Sequence, residues 1–259
     1  MRKSSILMPL FALIAGATGF YLRTRELAEA FDTGGLPKPG AGITYALLAF
    51  SAVILIIALI FSILATAKNK APDGFEKAFG TDPLAYPSVF SLIGIVWFGA
   101  TVKYYLDLKI IWPLPAMELI FLILSALSAI SIAFFAIEMY QDPRRKAKYF
   151  LSIVPSAFMC FWLIVIYRQN ASNPVLLSYC YQCMAIIAST LGFYFTSGFV
   201  YEKPASGKSL FAYFSAIYLC FVTLADKHST SIMIIISSLI AINLLHSVML
   251  IKNLQPKEV

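Results

Sequence analysis

The chain is 259 residues long, 60% hydrophobic and only 13% charged, with a mean hydropathy of +0.80 and a formal net charge of +7. A soluble domain carries about a quarter charged residues, whereas the charges here lie between or at the ends of apolar runs about 20 residues long, the length that crosses a bilayer. That pattern excludes a soluble globular domain and a β-barrel, whose strands alternate over about 10 residues. It also assigns the positive charge to membrane topology, not to nucleic acid.

The sequence therefore predicts an all-α polytopic integral membrane protein, a bundle of eight transmembrane helices forming a single domain over 1–259. The first span covers about 6–22, behind Arg2 and Lys3. Its basic start and short apolar core resemble a secretory signal peptide. Two pairs of small residues four apart, Ala12 with Gly16 and Ala15 with Gly19, suit close helix packing and favour a retained helix. A polar segment follows, in which 23–32 reads as a short surface helix ended by Gly34-Gly35.

The second span, 43–66, carries Thr44, Ser51, Ala58, Ser62 and Ala65 on one side. Between it and the third span, Phe75 and Phe79 lie on a short interfacial helix between Gly74 and Gly80. The third span, 88–105, ends in interfacial tyrosines, with Trp112 beyond. The fourth, 115–140, is rich in Ser and Ala, with Glu118 on the same side as Ser125, Ala129 and Ala136. The fifth, 149–168, contains Pro155.

The sixth span, 175–200, opens after Asn173-Pro174 and bears a seam of Ser178, Gln182, Ala185, Ser189, Gly192 and Thr196 within about 80° of arc. Such a stripe lets another helix approach closely in lipid, or forms the wall of a cavity. The seventh and eighth spans are 209–225 and 230–251. The N-terminus, the even-numbered connectors and the C-terminus hold 13 of the 20 Lys and Arg, with the densest cluster at Arg144-Arg145-Lys146-Ala147-Lys148. Both termini are accordingly expected in the cytoplasm, in a bacterial plasma (inner) membrane.

Five residues are candidates for binding: Gln182, Glu118, Asn243, His246 and Tyr194. Ionisable and amide groups are costly in lipid, and Tyr194 stands with Tyr181, Tyr213 and Tyr218 among the deeper aromatics. Cys180 and Cys183 are redox candidates, spaced Cys-x-x-Cys at the outer end of the sixth span. This four-residue stretch resembles that of membrane thiol oxidoreductases but lacks their loop cysteine pair. Cysteine is also a small residue that packs well between helices. No catalytic set, metal site or cofactor is expected, since phosphate-loop, His-Glu-x-x-His and Gly-x-Ser-x-Gly motifs are missing.

The leading functional expectation is a small permease or channel-like protein, or a subunit of one, for an uncharged or amphiphilic solute. The alternative is a membrane scaffold or sensor subunit docking a partner protein through 23–32 and 74–79; less favoured is a thiol oxidoreductase. Membrane lipid is the expected surrounding, with a protein partner or homo-oligomer open and nucleic acid excluded.

Overall fold

The computed structural model describes residues 4–32, 35–67, 69–70, 74–80, 84–108, 114–141 and 147–256. Arg2, Lys3, Gly34, Trp112 and the Arg144–Lys146 part of the basic cluster lie outside the described residues, as do the side chains of Ala136 and Tyr140. The helices are α1 (Ser4–Glu29), α2 (Gly42–Ala67), α3 (Phe75–Phe79), α4 (Ala85–Leu108), α5 (Ala116–Gln141), α6 (Ala147–Gln169), α7 (Cys180–Val200), α8 (Ser206–Thr223) and α9 (Thr230–Asn253). A two-residue antiparallel pairing joins β1 (Asn69–Lys70) to β2 (Gln255–Pro256).

Among the described residues, seven helices are long and apolar enough to cross a membrane: α1, α2, α4, α5, α6, α7 and α9. The expected seventh span, α8, is a helix of 18 residues but falls outside that set. Its position explains its composition. α8 packs against α1, α2, α7 and α9, and its residues from Ser209 to Thr223 are almost all buried. A helix that meets only other helices has no need of an apolar surface for lipid, so Ser209, Tyr213, Ser215 and Tyr218 are accommodated along it.

The helices α4, α5, α6 and α7 pack in sequence, and α8 and α9 close the ring back onto α4. α1 and α2 lie outside it against α8. The radial distribution is inverted relative to a soluble protein. Ser51, Ser62, Ser125, Ser128, Ser189, Ser209 and Ser247 are buried, while Leu48, Ile56, Ile60, Leu64, Leu92 and Ile95 are exposed. Small hydroxyls bond their own helix backbone, as Ser51 does to the Leu47 carbonyl at 2.8 Å and Ser62 to that of Ala58 at 2.7 Å. They therefore permit close approach without leaving a polar group unpaired. The polar side of α2 is spent in this way: Ser51 Oγ also meets Tyr218 Oη at 2.7 Å on α8.

Three boundaries differ from expectation. First, 23–32 is not a separate surface helix: α1 runs unbroken to Glu29. The buried side Ala12, Ala15, Gly19, Arg23, Glu26, Ala30 continues straight through the polar residues, while Arg25 and Glu29 pair on the exposed face.

Second, α7 starts at Cys180, not Val175. The Asn173 side chain accepts from Val175 N at 3.0 Å and donates to Ser178 Oγ at 2.9 Å. This Asx turn holds 176–178 as a tighter 3-10 turn before the α-helix begins. Ser178 thus precedes the helical seam.

Third, the segment at 74–79 is not an interfacial surface helix. α3 is inserted, with Phe75, Ala78 and Phe79 buried, between α5, α7 and α9.

The bundle has two distinct ends. Arg23 near the end of α1 bonds Asp226 in the α8–α9 connector, and that end also gathers the end of α4 and the starts of α5 and α7. The opposite end holds α3 and the C-terminal end of α9, joined by Asn253 Nδ2 to the carbonyls of Ala78 at 3.0 Å and Gly80 at 2.7 Å.

Candidate binding vestibule

A cavity of about 710 Å³ opens at the Arg23 end of the bundle. Its wall is built from helix ends: Leu27 and Phe31 from α1 and beyond it, Tyr104 from α4, Phe121 from α5, Trp162, Val165 and Gln169 from α6, Gln182 from α7 and Ile232 from α9. Asp32, Gly35, Asn170, Ser178, Tyr179 and the run Asp226-Lys227-His228-Ser229 complete the rim. The lining is divided by depth. Charged and amide groups stand around the mouth, and Phe121 and Trp162, each 2% exposed, form the floor.

The floor is rigid for a physical reason. Phe121 packs edge-on to Trp162 at 5.7 Å, and both meet Phe158, at 5.2 and 5.5 Å. Phe158 in turn packs on Trp97 at 5.8 Å. Trp97 Nε1 donates to Ser125 Oγ at 3.0 Å, and Ser125 shares a 2.7 Å hydrogen bond with Thr101. The Ser-rich side of α5 therefore serves as a polar anchor beneath the aromatic floor. Without it the indole N–H would be left unpaired in an apolar interior.

One wall is fixed by Arg23, which is fully buried together with Glu26. Arg23 donates through Nη1 to Glu26 at 2.7 Å, through Nε to Asp226 at 2.8 Å, and through Nη2 to the carbonyls of Leu177 at 3.0 Å and Ser178 at 3.4 Å. Its guanidinium carbon lies 5.0 Å from the centre of the Tyr181 ring. A planar fork with five donors can satisfy this many partners at once; an ammonium could not. The bonds tie the end of α1, the 3-10 turn and the α8–α9 connector into one unit.

In the same connector His228 Nε2 lies 3.1 Å from Thr223 Oγ1, which donates to Asp226 at 2.9 Å. Burial holds the His228 pKa below its ordinary 6.5, with nearby Arg23 acting in the same direction and Asp226 opposing.

The candidate residues are distributed over different places. Gln182 lines the vestibule. Glu118 stands one layer behind: it accepts from Tyr104 Oη at 2.9 Å and from Gln169 Nε2 at 3.5 Å, both of them residues of the lining. Asn243 and His246 are far from it, toward α3. Asn243 is 2% exposed and donates to the Leu239 carbonyl of its own helix at 2.8 Å. His246 is 1% exposed, among the rings of Phe79, Phe90 and Tyr213.

Tyr194 is 63% exposed on the outer face of α7 and is not part of either group. An aromatic that points outward from the ring meets the surroundings of the bundle, not a ligand within it. Cys180 and Cys183 are free thiols, both half-buried, and Cys180 Sγ lies 3.9 Å from the Leu177 carbonyl. Among the described residues, no group of three or more His, Cys, Asp or Glu could hold a metal ion.

The seam on α7 resolves by depth. Ser189 Oγ meets Cys220 Sγ at 3.6 Å and Thr196 meets Tyr213 Oη at 2.6 Å, so the lower seam faces α8. Only its upper part, at Gln182, faces the cavity.

Arg23, Tyr104, Trp162, Gln169 and Asp226 escaped the sequence reading. For Arg23 a signal existed: Gly16, Gly19, Arg23 and Glu26 follow one another by threes and fours, so the small-residue stripe of α1 leads directly to a charged pair. No family model matches the chain, and no curated protein or solved structure matches it either.

Proposed function

We propose that this multi-pass membrane protein binds an uncharged amphiphilic solute in the vestibule and carries it across the bilayer, as a small permease does. In this reading all eight long helices span the membrane, with α8 shielded at the centre. Both termini are cytoplasmic and the vestibule opens outward. Its rim comes from the α1–α2, α6–α7 and α8–α9 connectors, which are among the Lys- and Arg-poor set.

The observation that supports the reading is the cavity itself: about 710 Å³, reaching Gln182, with an aromatic floor and a hydrogen-bonding mouth. Ligand sites fall at about 300–1,000 Å³ and combine apolar walls with a few placed polar groups. Of the charges at the mouth, Asp226 is held by Arg23, while Lys227 stands beside it on the rim. The amides of Gln169, Asn170 and Gln182 lie in the same lining as the aromatic rings, which favours a ligand that combines hydrogen-bonding groups with an aromatic or aliphatic body. Arg23 and Glu26 are committed internally and α3 is buried, so neither segment favours the docking alternative.

The test uses the full chain in lipid nanodiscs, titrated with two neutral aromatic amides, phenylacetamide and N-acetyl-phenylalaninamide. A saturable change in tryptophan emission is expected from Trp162, and it should be weakened by Gln182→Leu. Proteoliposomes preloaded with the tighter-binding amide should exchange it faster than protein-free vesicles. Identical titrations for protein and empty nanodiscs would remove the proposal.

A further inference from the structure

At the end of the bundle opposite the vestibule, α3 closes the ring from within. Phe75 and Phe79 stack on each other at 4.8 Å, and Phe79 sits 5.2 Å from the His246 ring and 5.1 Å from Phe199. Below them His246 Nε2 and Tyr86 Oη, whose rings are 6.4 Å apart, are both buried and have no hydrogen-bond partner among the described residues. Two such groups in an apolar cage are costly. Buried groups of this kind are ordinarily met by an ordered water or by a ligand. Residues around His246 also line a cavity of about 10 Å³ with Thr196, about the volume of one water. The closed form therefore has no room for a solute here.

The segment that fills the space is a single short turn, held chiefly by its two phenylalanines. Gly74 has φ +88°, a conformation that residues with a Cβ rarely adopt. A Cβ on Gly80 would collide with the Glu76 carbonyl oxygen. The sequence thus places a glycine at each end of a single apolar turn and allows a sharp entry and exit. Among the described residues, α3 is tied to the end of α9 by two bonds from Asn253, and the β1–β2 pairing holds the preceding connector to the same C-terminal segment.

We infer that α3 is a removable plug over an inner binding position, in which His246 and Tyr86 supply the polar contacts for the solute proposed for the vestibule. Phe75 and Phe79 occupy that position in the closed form, and the Asn253 side chain is the latch. When α3 withdraws, a neutral amide or hydroxyl meets a hydrogen-bonding imidazole and a phenol donor inside an aromatic cage. This rests on the permease reading, and it locates the inner half of the path.

The two histidines of the chain allow a direct test. His228 belongs to the vestibule and His246 lies beneath the plug. The full chain in nanodiscs is treated with diethyl pyrocarbonate, and modification of each histidine is followed by peptide mass spectrometry. In the wild type His246 should react far more slowly than His228. Asn253→Ala removes the latch and should speed His246 modification by about fivefold or more, with the His228 rate unchanged. A cysteine pair, Ala78→Cys with Asn253→Cys, should slow it when oxidised and release it on reduction.

In Asn253→Ala, N-acetyl-phenylalaninamide should protect His246. An unchanged His246 rate in Asn253→Ala overturns the plug, and so does a parallel rise at both histidines, which signals general loosening. Faster labelling without protection by the amide overturns the inner binding position alone. Because labelling needs no solute, failure of the plug is read separately from failure of solute binding in the vestibule.

Discussion

Arg23 Nε donates to Asp226 Oδ1 at 2.8 Å, joining residues 203 positions apart and fixing the first long helix to the α8–α9 connector. Arg23 is wholly shielded and Asp226 nearly so. Removing one member of such a pair leaves the other charge buried and uncompensated, at about 3–5 kcal/mol. Arg23→Leu is therefore expected to lower the thermal midpoint sharply and to abolish amide binding, because Ser178 and Asp226 both shape the vestibule. Arg25→Ala, two residues on, breaks an exposed pair with Glu29 and should leave the thermal midpoint nearly unchanged, because solvent screens such pairs. Equal effects from the two substitutions would contradict the internal assignment of Arg23.

Two glycines of α4 behave oppositely although they lie five residues apart. A Cβ on Gly94 would stand 2.8 Å from the carbonyl oxygen of Ala129 and the nitrogen of Ala133, both backbone atoms of α5 that cannot turn away. Gly94→Ala should separate α4 from α5 and destabilise by about 1–3 kcal/mol. A Cβ on Gly99 meets nothing within 4 Å. There alanine only restricts the unfolded chain and improves helix propensity, so Gly99→Ala should stabilise by about 0.4–1 kcal/mol. Thermal denaturation of both variants in the same nanodiscs distinguishes the cases.

Acidification should weaken the vestibule rim. His228 titrates below its ordinary 6.5 in the folded chain because burial disfavours its charged form. The unfolded chain then binds a proton more readily than the folded one. Stability is fully present above about pH 6.5 and is lost as pH falls below that value toward the folded pKa. Melting profiles between pH 7.5 and 5 should show this decline in the wild type (pH values about those that bracket an ordinary histidine). In His228→Gln the decline should be smaller, and an identical slope in that variant would assign it to other groups.

Gln182 and Tyr194 lie on the same helix but on opposite sides of the argument about binding. Gln182→Leu should weaken N-acetyl-phenylalaninamide by about tenfold, the loss of one to two hydrogen bonds, without lowering the thermal midpoint. Tyr194→Ala, at a residue 63% exposed, should leave the affinity unchanged. Isothermal titration of both variants checks the pair.

Much of the fold is legible in the chain alone. Apolar runs of bilayer length mark seven of the long helices, because the hydrocarbon thickness fixes how many residues a span needs. The seam of small and polar residues on α7 marks the side that packs against other helices, since close approach requires small side chains wherever it occurs. What could not be read is direction within the bundle. The α7 seam meets Tyr213 and Cys220 at depth and the cavity only at Gln182, and one helix's periodicity carries no information about what stands opposite it. In the same way, Arg23 and Glu26 look like surface charges by composition. They are internal because Asp226, the Leu177 carbonyl and the Tyr181 ring arrive from distant parts of the chain to receive them. The sequence by itself determined how many long helices form and which sides pack, through length and local periodicity. Only the tertiary structure decided that helix ends enclose a vestibule at one end and that two phenylalanines seal the other, because those relations depend on groups brought together from opposite ends of the sequence.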